Sequence, residues 1–488
     1  QQLVAAAAHV GIRNRRRFTD YAEMNRTTSM MFPQTSTVPE AVPEATPRPR
    51  IGKLAILVIV YLFLNQWLPF WTAVGCVAVG YNFFCCASRF SLGIFPILEL
   101  MLVITGLQWV LMPIYFYYTP MSYPSMAVPE DLYMGLTVSG YLALMGGVYF
   151  RQTHLLLDLK NIERNKEVYT KFGFLFLAIG FIGWVLSTTH FYFSNLAFLF
   201  FLFSVSGLFI LEYCRNHFAL ILGITFIALQ LVSGAQSTML QNLVLWLAWY
   251  VMIIFCRRKM RTWICISLFL FGLVAVCFLQ EVKYNYRSEI GMSQRSFNNF
   301  FDAFAAGFER NYLKEYTQLN FWNRFNQGYS ISLVYGHIPE SRDFLYGQEL
   351  IPGMVTSFLP RAIFPWKYEA ASHERYADLT GIYSPFATMS VSVLGDAYSN
   401  FGQYGMLIFL LLYGMFLNAI LRLIITEAGQ NYIPIFLIPL PFYNVMKGEV
   451  EFISIFNHLV KLLIIIWVLH LILKECSGVY RKLSDPAD

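Results

Sequence analysis

Apolar runs about as long as a bilayer is thick recur along most of this chain, and no other feature limits its fold so strongly. Bounded by charged or turn residues, they fall near 54–70, 72–87, 92–115, 131–150, 171–191, 195–213, 217–235, 238–256, 263–280, 404–424, 431–446 and 453–473. A helix needs about 20 apolar residues to cross the hydrocarbon core, and inside lipid the backbone must satisfy its own hydrogen bonds. The expectation is an all-α polytopic membrane protein of twelve transmembrane helices. Composition agrees, with 57% of residues hydrophobic and 13% charged, whereas soluble domains carry roughly a quarter charged residues.

Charge placement orients these spans. Lysine and arginine concentrate in alternate connections: the segment 151–171, the RRKMR turn at 257–261 and the C-terminal KECSGVYRK. The intervening connections YTPMSYPSMAVPED and SGAQST have neither residue. Basic loops stay in the cytoplasm, so both termini are expected there and residues 281–402 outside. The division that follows is a basic cytosolic tail (1–52), nine helices (53–280), one large extracytoplasmic loop (281–402), three helices (403–474) and a short cytosolic tail (475–488). In the first tail Arg13, Arg15, Arg16 and Arg17 precede TSTVPEAVPEATPRPR, a composition expected to be disordered and lacking the apolar core of a signal peptide. Its arginines read as a topology anchor or as a contact with anionic lipid.

None of the eight cysteines falls in the large loop, so packing on the bundle rather than a disulfide framework must order it. Phe297, Phe300, Phe301, Phe304, Phe308, Tyr312 and Tyr316 recur at helical spacing. They read either as plain core or as an amphipathic helix lying in the headgroups. The loop also gathers Lys283, Arg287, Arg295, Arg310, Lys314, Arg324, Arg342, Arg361, Lys367 and Arg375 beside His337 and His373, with enough carboxylates to leave it nearly neutral. That balance argues against nucleic acid, which needs a basic excess. Within FLPRAIFPWK, Pro360 and Pro365 stiffen the backbone that presents Arg361 and Lys367. A planar guanidinium and a point-charge ammonium on a stiff segment suit a diphosphate.

Here the sequence resembles a known family. RFNQGYSISLVYGHIPESRDFLYGQELIPGMVTSFLPRAIFPWK, followed by ASHERYADLTGIYSPFATMSVSVLGDAYSNFGQYGMLI, is similar over about 80 residues to the Wzy-type repeat-unit polymerases of bacterial O-antigen and exopolysaccharide synthesis. The matching elements are Arg324 with Asn326, Tyr346 with Gly347, the turn from Pro360 to Lys367, and Gly395, Asp396, Tyr398, Asn400, Phe401 and Gly402. Over the rest of the chain the likeness is one of layout, with many spans and a large outer loop before the final helices.

The resemblance implies a GT-C-like glycosyltransferase of the bacterial inner membrane. It joins oligosaccharide repeat units carried on undecaprenyl diphosphate at the periplasmic face, with membrane lipid, a chain-length regulator and a flippase as partners. A departing lipid diphosphate needs fixed positive charge; Arg361, Lys367 and Arg324 lead the candidates, followed by Arg342 and Arg287. Tyr398, Asn400 and Tyr346 are supporting residues. Where the acceptor hydroxyl needs a base, Glu374, Asp396 and His373 are in range by sequence, although Asp396 also reads as a helix cap. No phosphate-cradling Walker loop is present, and neither metal nor other cofactor is expected. HERYAD lacks the second histidine of a zinc helix. Glu449 and Glu451 in KGEVEF read as a magnesium seat or, preferably, as part of a hairpin ion-paired through Lys447. Glu99, alone among apolar residues, needs a buried partner.

Two other functions fit parts of the pattern. A ligase transferring finished polysaccharide onto a lipid core would share the outer loop. A transporter or flippase would share the span number, but the sequence offers no recognisable pair of broken helices.

Overall fold

The computed structural model describes residues 51–119, 125–188, 194–237, 241–289, 299, 302, 305, 325–357, 359, 372–383, 390–428 and 431–476. The helices are α1 (Ile51–Leu64), α2 (Phe70–Leu92), α3 (Ile97–Tyr118), α4 (Glu130–Tyr149), α5 (Leu159–Arg164), α6 (Lys166–Thr188), α7 (Ser194–Phe201), α8 (Phe203–Tyr213) and α9 (Phe218–Ser237). They continue with α10 (Gln241–Arg258), α11 (Thr262–Glu289), α12 (Gln327–His337), α13 (Leu350–Thr356), α14 (His373–Thr380), α15 (Ser392–Ala428), α16 (Ile433–Phe436), α17 (Pro439–Phe442) and α18 (Phe452–Cys476). Regular strands are absent among the described residues.

Six helices, α2, α3, α4, α6, α15 and α18, are long and apolar enough to cross a membrane. The other expected spans fall on α1, α7 with α8, α9, α10, α11 and the α16 and α17 pair. The last of these departs from a regular helix: the segment 431–446 contains two single helical turns. Pro434, Pro439 and Pro441 lack the amide that helix continuation requires. Residues 431–443 are nevertheless all buried, and irregular backbone is tolerated at membrane depth when protein surrounds it. Its freed groups find partners: Asn431 Oδ1 accepts the Ile433 N–H at 3.1 Å and the His458 ring lies 3.0 Å from the Leu440 carbonyl.

A second interruption lies in α3, whose residues Leu107–Leu111 form a π-helical turn. The cause is Pro113, whose ring displaces the carbonyl four residues back. That carbonyl, on Trp109, instead accepts the Tyr133 hydroxyl at 2.8 Å. The two interruptions differ in kind, a single π-turn inside one long helix and two short proline-bearing turns, so they do not form a matching pair. The π-turn is tied to the connection that follows the first interruption, because the Trp109 indole N–H donates to the Gly448 carbonyl at 2.9 Å.

The tightest pairing in the bundle is α4 against α15. Gly147 lies so close to Leu411 that a β-carbon there would collide with its carbonyl oxygen, and one at Gly414 would lie 2.6 Å from the Leu144 carbonyl. Small residues let two helices approach to backbone contact, the interaction that holds helices together when lipid is as apolar as leucine.

The bundle has two distinguishable ends. One collects Phe95 on Leu155, Cys256 on Ile94, Asn418 on Phe150 and Tyr432 on Tyr169. The turns there carry Arg151, Arg215, Arg257, Arg258 and Lys259. At the other end the segments 325–357 and 372–383 fold back onto the bundle, with α12 against α15, α13 against α18 and α14 against α12.

Candidate functional site

The site at this second end is built around Arg375. Ser372 opens α14 by accepting the Arg375 N–H at 3.1 Å, and Gly381 closes it in left-handed conformation (φ 72°). Such a helix presents one face inward, made of Arg375, Tyr376, Leu379 and Thr380. A charge placed on that face needs counter-charges, and three elements supply them. Arg375 Nε is 3.1 Å from Glu349 Oε2, just before α13, and Nη1 is 2.7 Å from Glu451 Oε2, just before α18. Nη2 pairs with Asp396 Oδ1 on the first turns of α15. The second Asp396 oxygen accepts the Phe452 N–H at 2.9 Å and so caps α18.

Arg375, Asp396 and Glu451 are 5%, 0% and 1% exposed. Burial by itself disfavours the guanidinium charge. Asp396, Glu451 and Glu349 outweigh it and raise the Arg375 pKa above its ordinary value. One cation therefore ties α13, α14, α15 and α18 together. Further contacts fix α14: Arg342 pairs with Asp378, and the Tyr376 and Ser330 hydroxyls lie 3.2 Å apart.

A kink beside this cluster brings together Tyr346, Gly347, Tyr398, Asn400 and Gly402 of the resemblance. Gly402 (φ 65°, ψ −170°) breaks α15, and a helix break frees carbonyls that the following amides would have used. The carbonyls of Ser399 and Asn400 accept instead from Leu345 N at 3.0 Å and Tyr346 N at 2.9 Å. Tyr346 (φ 48°) and Gly347 (φ 80°) then turn the chain away. Tyr398 sets its ring 4.6 Å from that of Tyr335 and 5.8 Å from that of Phe344, and its hydroxyl donates to the Ile338 carbonyl at 3.3 Å. Asn400 Nδ2 donates to the Asp396 carbonyl at 2.8 Å. The Tyr-Gly and Asn-Phe-Gly elements, distant in sequence, thus meet at one turn.

The expected site residues divide by placement. Asp396 is enclosed and engaged through both oxygens; it caps α18 rather than its own helix, which corrects the cap reading and leaves it no oxygen directed at solvent. Glu374, its neighbour His373 and Arg342 lie on or against α14. Glu374 is exposed; His373 is half-buried, and its Nδ1 is enclosed without a partner among the described residues. Tyr346 is 70% exposed at the rim. Arg287 lies near the end of α11. Arg324, Arg361 and Lys367 lie outside the described residues, as do all seven residues of the aromatic stripe from Phe297 to Tyr316.

The turn after α17 is also corrected. Glu449 accepts from Gln108 Nε2 at 3.0 Å while Glu451 belongs to Arg375, so the two carboxylates face different partners. The Lys447 Nζ stands 5.1 Å over the Tyr443 ring. Burial lowers the Lys447 pKa, with Glu449 opposing. Glu99 has the partner it requires at the other end, with Arg89 Nε 2.7 Å from its Oε1 and Gln152 Nε2 2.5 Å from the same oxygen.

Comparison with family models, with curated proteins and with solved structures found no match to this chain. Chemistry inferred for the site therefore rests on its own geometry. The Arg375 cluster is saturated by carboxylates and makes a poor anion receptor. It makes a good fastening, because it holds rigid the two helices, α13 and α14, from which the segment bearing Arg361 and Lys367 departs and to which it returns. Glu349, absent from the sequence-derived candidates, is as central to that fastening as Asp396.

Proposed function

We propose that the chain is a membrane glycosyltransferase that polymerises oligosaccharide repeat units carried on undecaprenyl diphosphate, acting at the outer face of a bacterial inner membrane. The observation that carries this reading is the Arg375 cluster. It fastens the two helices flanking the Pro-Arg-x-x-x-Pro-x-Lys segment to one end of a helical bundle, as a stiff presentation of cations to a lipid diphosphate requires. Arg361 and Lys367 are the proposed diphosphate contacts, with Arg324, Arg342 and Arg287 as further candidates. Exposed Glu374 and half-buried His373 are the proposed base candidates on α14, and they now precede Asp396, whose oxygens are engaged.

The arrangement of the bundle supports the twelve-span reading with cytoplasmic termini. Basic turns gather at one end and the described segments 325–357 and 372–383 of the large loop pack on the other, as the positive-inside rule requires. The segment 431–446 then crosses as a broken, protein-enclosed span. The test is incubation of purified protein with a defined undecaprenyl-diphosphate oligosaccharide. A ladder of products, lost in Arg361→Ala, supports polymerisation; transfer of finished glycan onto a lipid core without laddering supports a ligase.

One observation favours a second reading. Many carriers build their substrate sites from interrupted helices, and here the π-turn of α3 bonds to the connection between α17 and α18, just past the broken 431–446 segment. Translocation of the lipid-linked unit by reconstituted protein, with no ladder from any substrate, would establish that reading instead.

A further inference from the structure

The end of the bundle opposite Arg375 has a feature that helix termination alone does not require. Arg151 (φ 48°), Arg215 (φ 51°) and Lys259 (φ 48°) all adopt left-handed backbone just past the ends of helices. A β-carbon makes that conformation costly, and glycine or asparagine usually occupies it. A cation there complements the helix C-terminus, yet α10 already carries Arg257 and Arg258 in its last turn. The chain retains a long basic side chain in all three places at a backbone cost.

The turn between α10 and α11 concentrates the effect. Arg258, Lys259 and Arg261 are exposed. Arg257 Nε is buried and has no hydrogen-bond acceptor among the described residues, a costly state for a charged donor. Lys259 lies over the end of α2, since a β-carbon on Gly93 would stand 3.1 Å from Lys259 Cε. Tyr213, two residues before Arg215, is within electrostatic reach of Arg257. The acidic groups nearby are Glu212 on α8, Glu163, and Glu99, which acts on Cys256 but is paired with Arg89. Glu163 is 57% exposed and 3.8 Å from Arg215, a weak pair. Cations remain in excess.

Apolar surface continues from this turn on both sides. Trp263 and Phe271 on α11 are 62% and 70% exposed, and Phe218 and Ile221 at the start of α9 are 58% and 60% exposed. Past the turn α11 packs on α2 rather than following α10. A basic turn holding an unmatched buried donor therefore lies between two apolar helix faces.

We propose that the Arg257–Arg261 turn binds the phosphate of an anionic phospholipid, whose acyl chains lie along the exposed faces of α9 and α11. A phosphate oxygen would accept from the Arg257 guanidinium once that side chain turns outward, in a charge-assisted hydrogen bond, and Lys259 would add its charge from the edge of α2. This inference is independent of the polymerase reading.

Native mass spectrometry of the full chain, stripped of lipid and supplied with phosphatidylglycerol or phosphatidylcholine, tests it. Wild type should retain the anionic lipid about ten-fold better, a preference that falls towards parity in R257Q/K259Q, as expected when two cations of the turn are removed. The charge-keeping R257K/K259R should preserve most of the preference, which separates lost charge from lost fold. K160Q, an exposed change elsewhere at the same end, should leave it intact. Equal retention of both lipids by wild type, or an unchanged preference in R257Q/K259Q, overturns the proposal. So does displacement of the bound lipid by inorganic phosphate at millimolar concentration, which would identify a free-phosphate site.

Discussion

Replacing Arg375 with methionine would leave Asp396 and Glu451 buried without their cation. Removing one partner from such a cluster costs about 3–5 kcal/mol, so R375M should unfold at clearly lower temperature in detergent. R375K should recover only part of the loss, because an ammonium cannot fork towards three carboxylates. A smaller effect belongs to His154, in the turn between α4 and α5. Burial, reinforced by Arg89, pushes its pKa down to about 4 from an unfolded value of roughly 6.5. As pH falls through that interval the unfolded chain takes up a proton that the folded chain refuses. Stability should therefore decline from about pH 6.5 to about pH 4 and then level off, and H154N should flatten the decline of the unfolding midpoint across that window. Neither residue could be assigned these roles from sequence, since charges paired across long separations leave no local pattern. The nearest clue to Arg375 is its place on the same helical face as Tyr376 and Leu379, after a serine cap.

Two elements show where sequence reading succeeds and where it stops. Gly402, drawn out by the family resemblance, has dihedral angles open in practice only to glycine. Any side chain there costs about 1–3 kcal/mol and would meet the Phe344 ring, 3.2 Å from an added β-carbon. G402A should lower stability by about that amount and release the Leu345 and Tyr346 amides, which hydrogen exchange would detect as lost protection. Gly147 is a different case: it lies in an unbroken apolar run, and its close approach to Leu411 follows from the α4 and α15 pairing, which no single segment encodes. G147L should prevent that pairing, with little monodisperse protein recovered after extraction. The segment 431–446 misleads in the opposite direction. Its apolar length reads as a span although its three prolines forbid a regular one, and only the burial of residues 431–443 makes the broken path tolerable.

At the scale of the molecule, alternation of apolar and basic segments made the all-helical class and the separation of basic from loop-bearing ends legible. The assembly of four distant elements at Arg375 was not, because it depends on how the loop packs. Sidedness is checked by cysteine labelling of intact cells with a membrane-impermeant maleimide. Y383C, exposed at the loop-bearing end, should react directly, whereas K160C should react only after the membrane is opened; the reverse order would invert the topology.

The three-carboxylate fastening also bears on the order of biosynthesis. Eight residues form too short a helix to persist unaided, and Glu451, one of the groups that holds α14, follows Arg375 late in the chain. A ribosome delivering this protein would leave the arginine incompletely neutralised until the start of α18 emerged. Truncations ending before Glu451 should accordingly expose α14 to proteolysis, whereas those ending shortly after α18 should shield it.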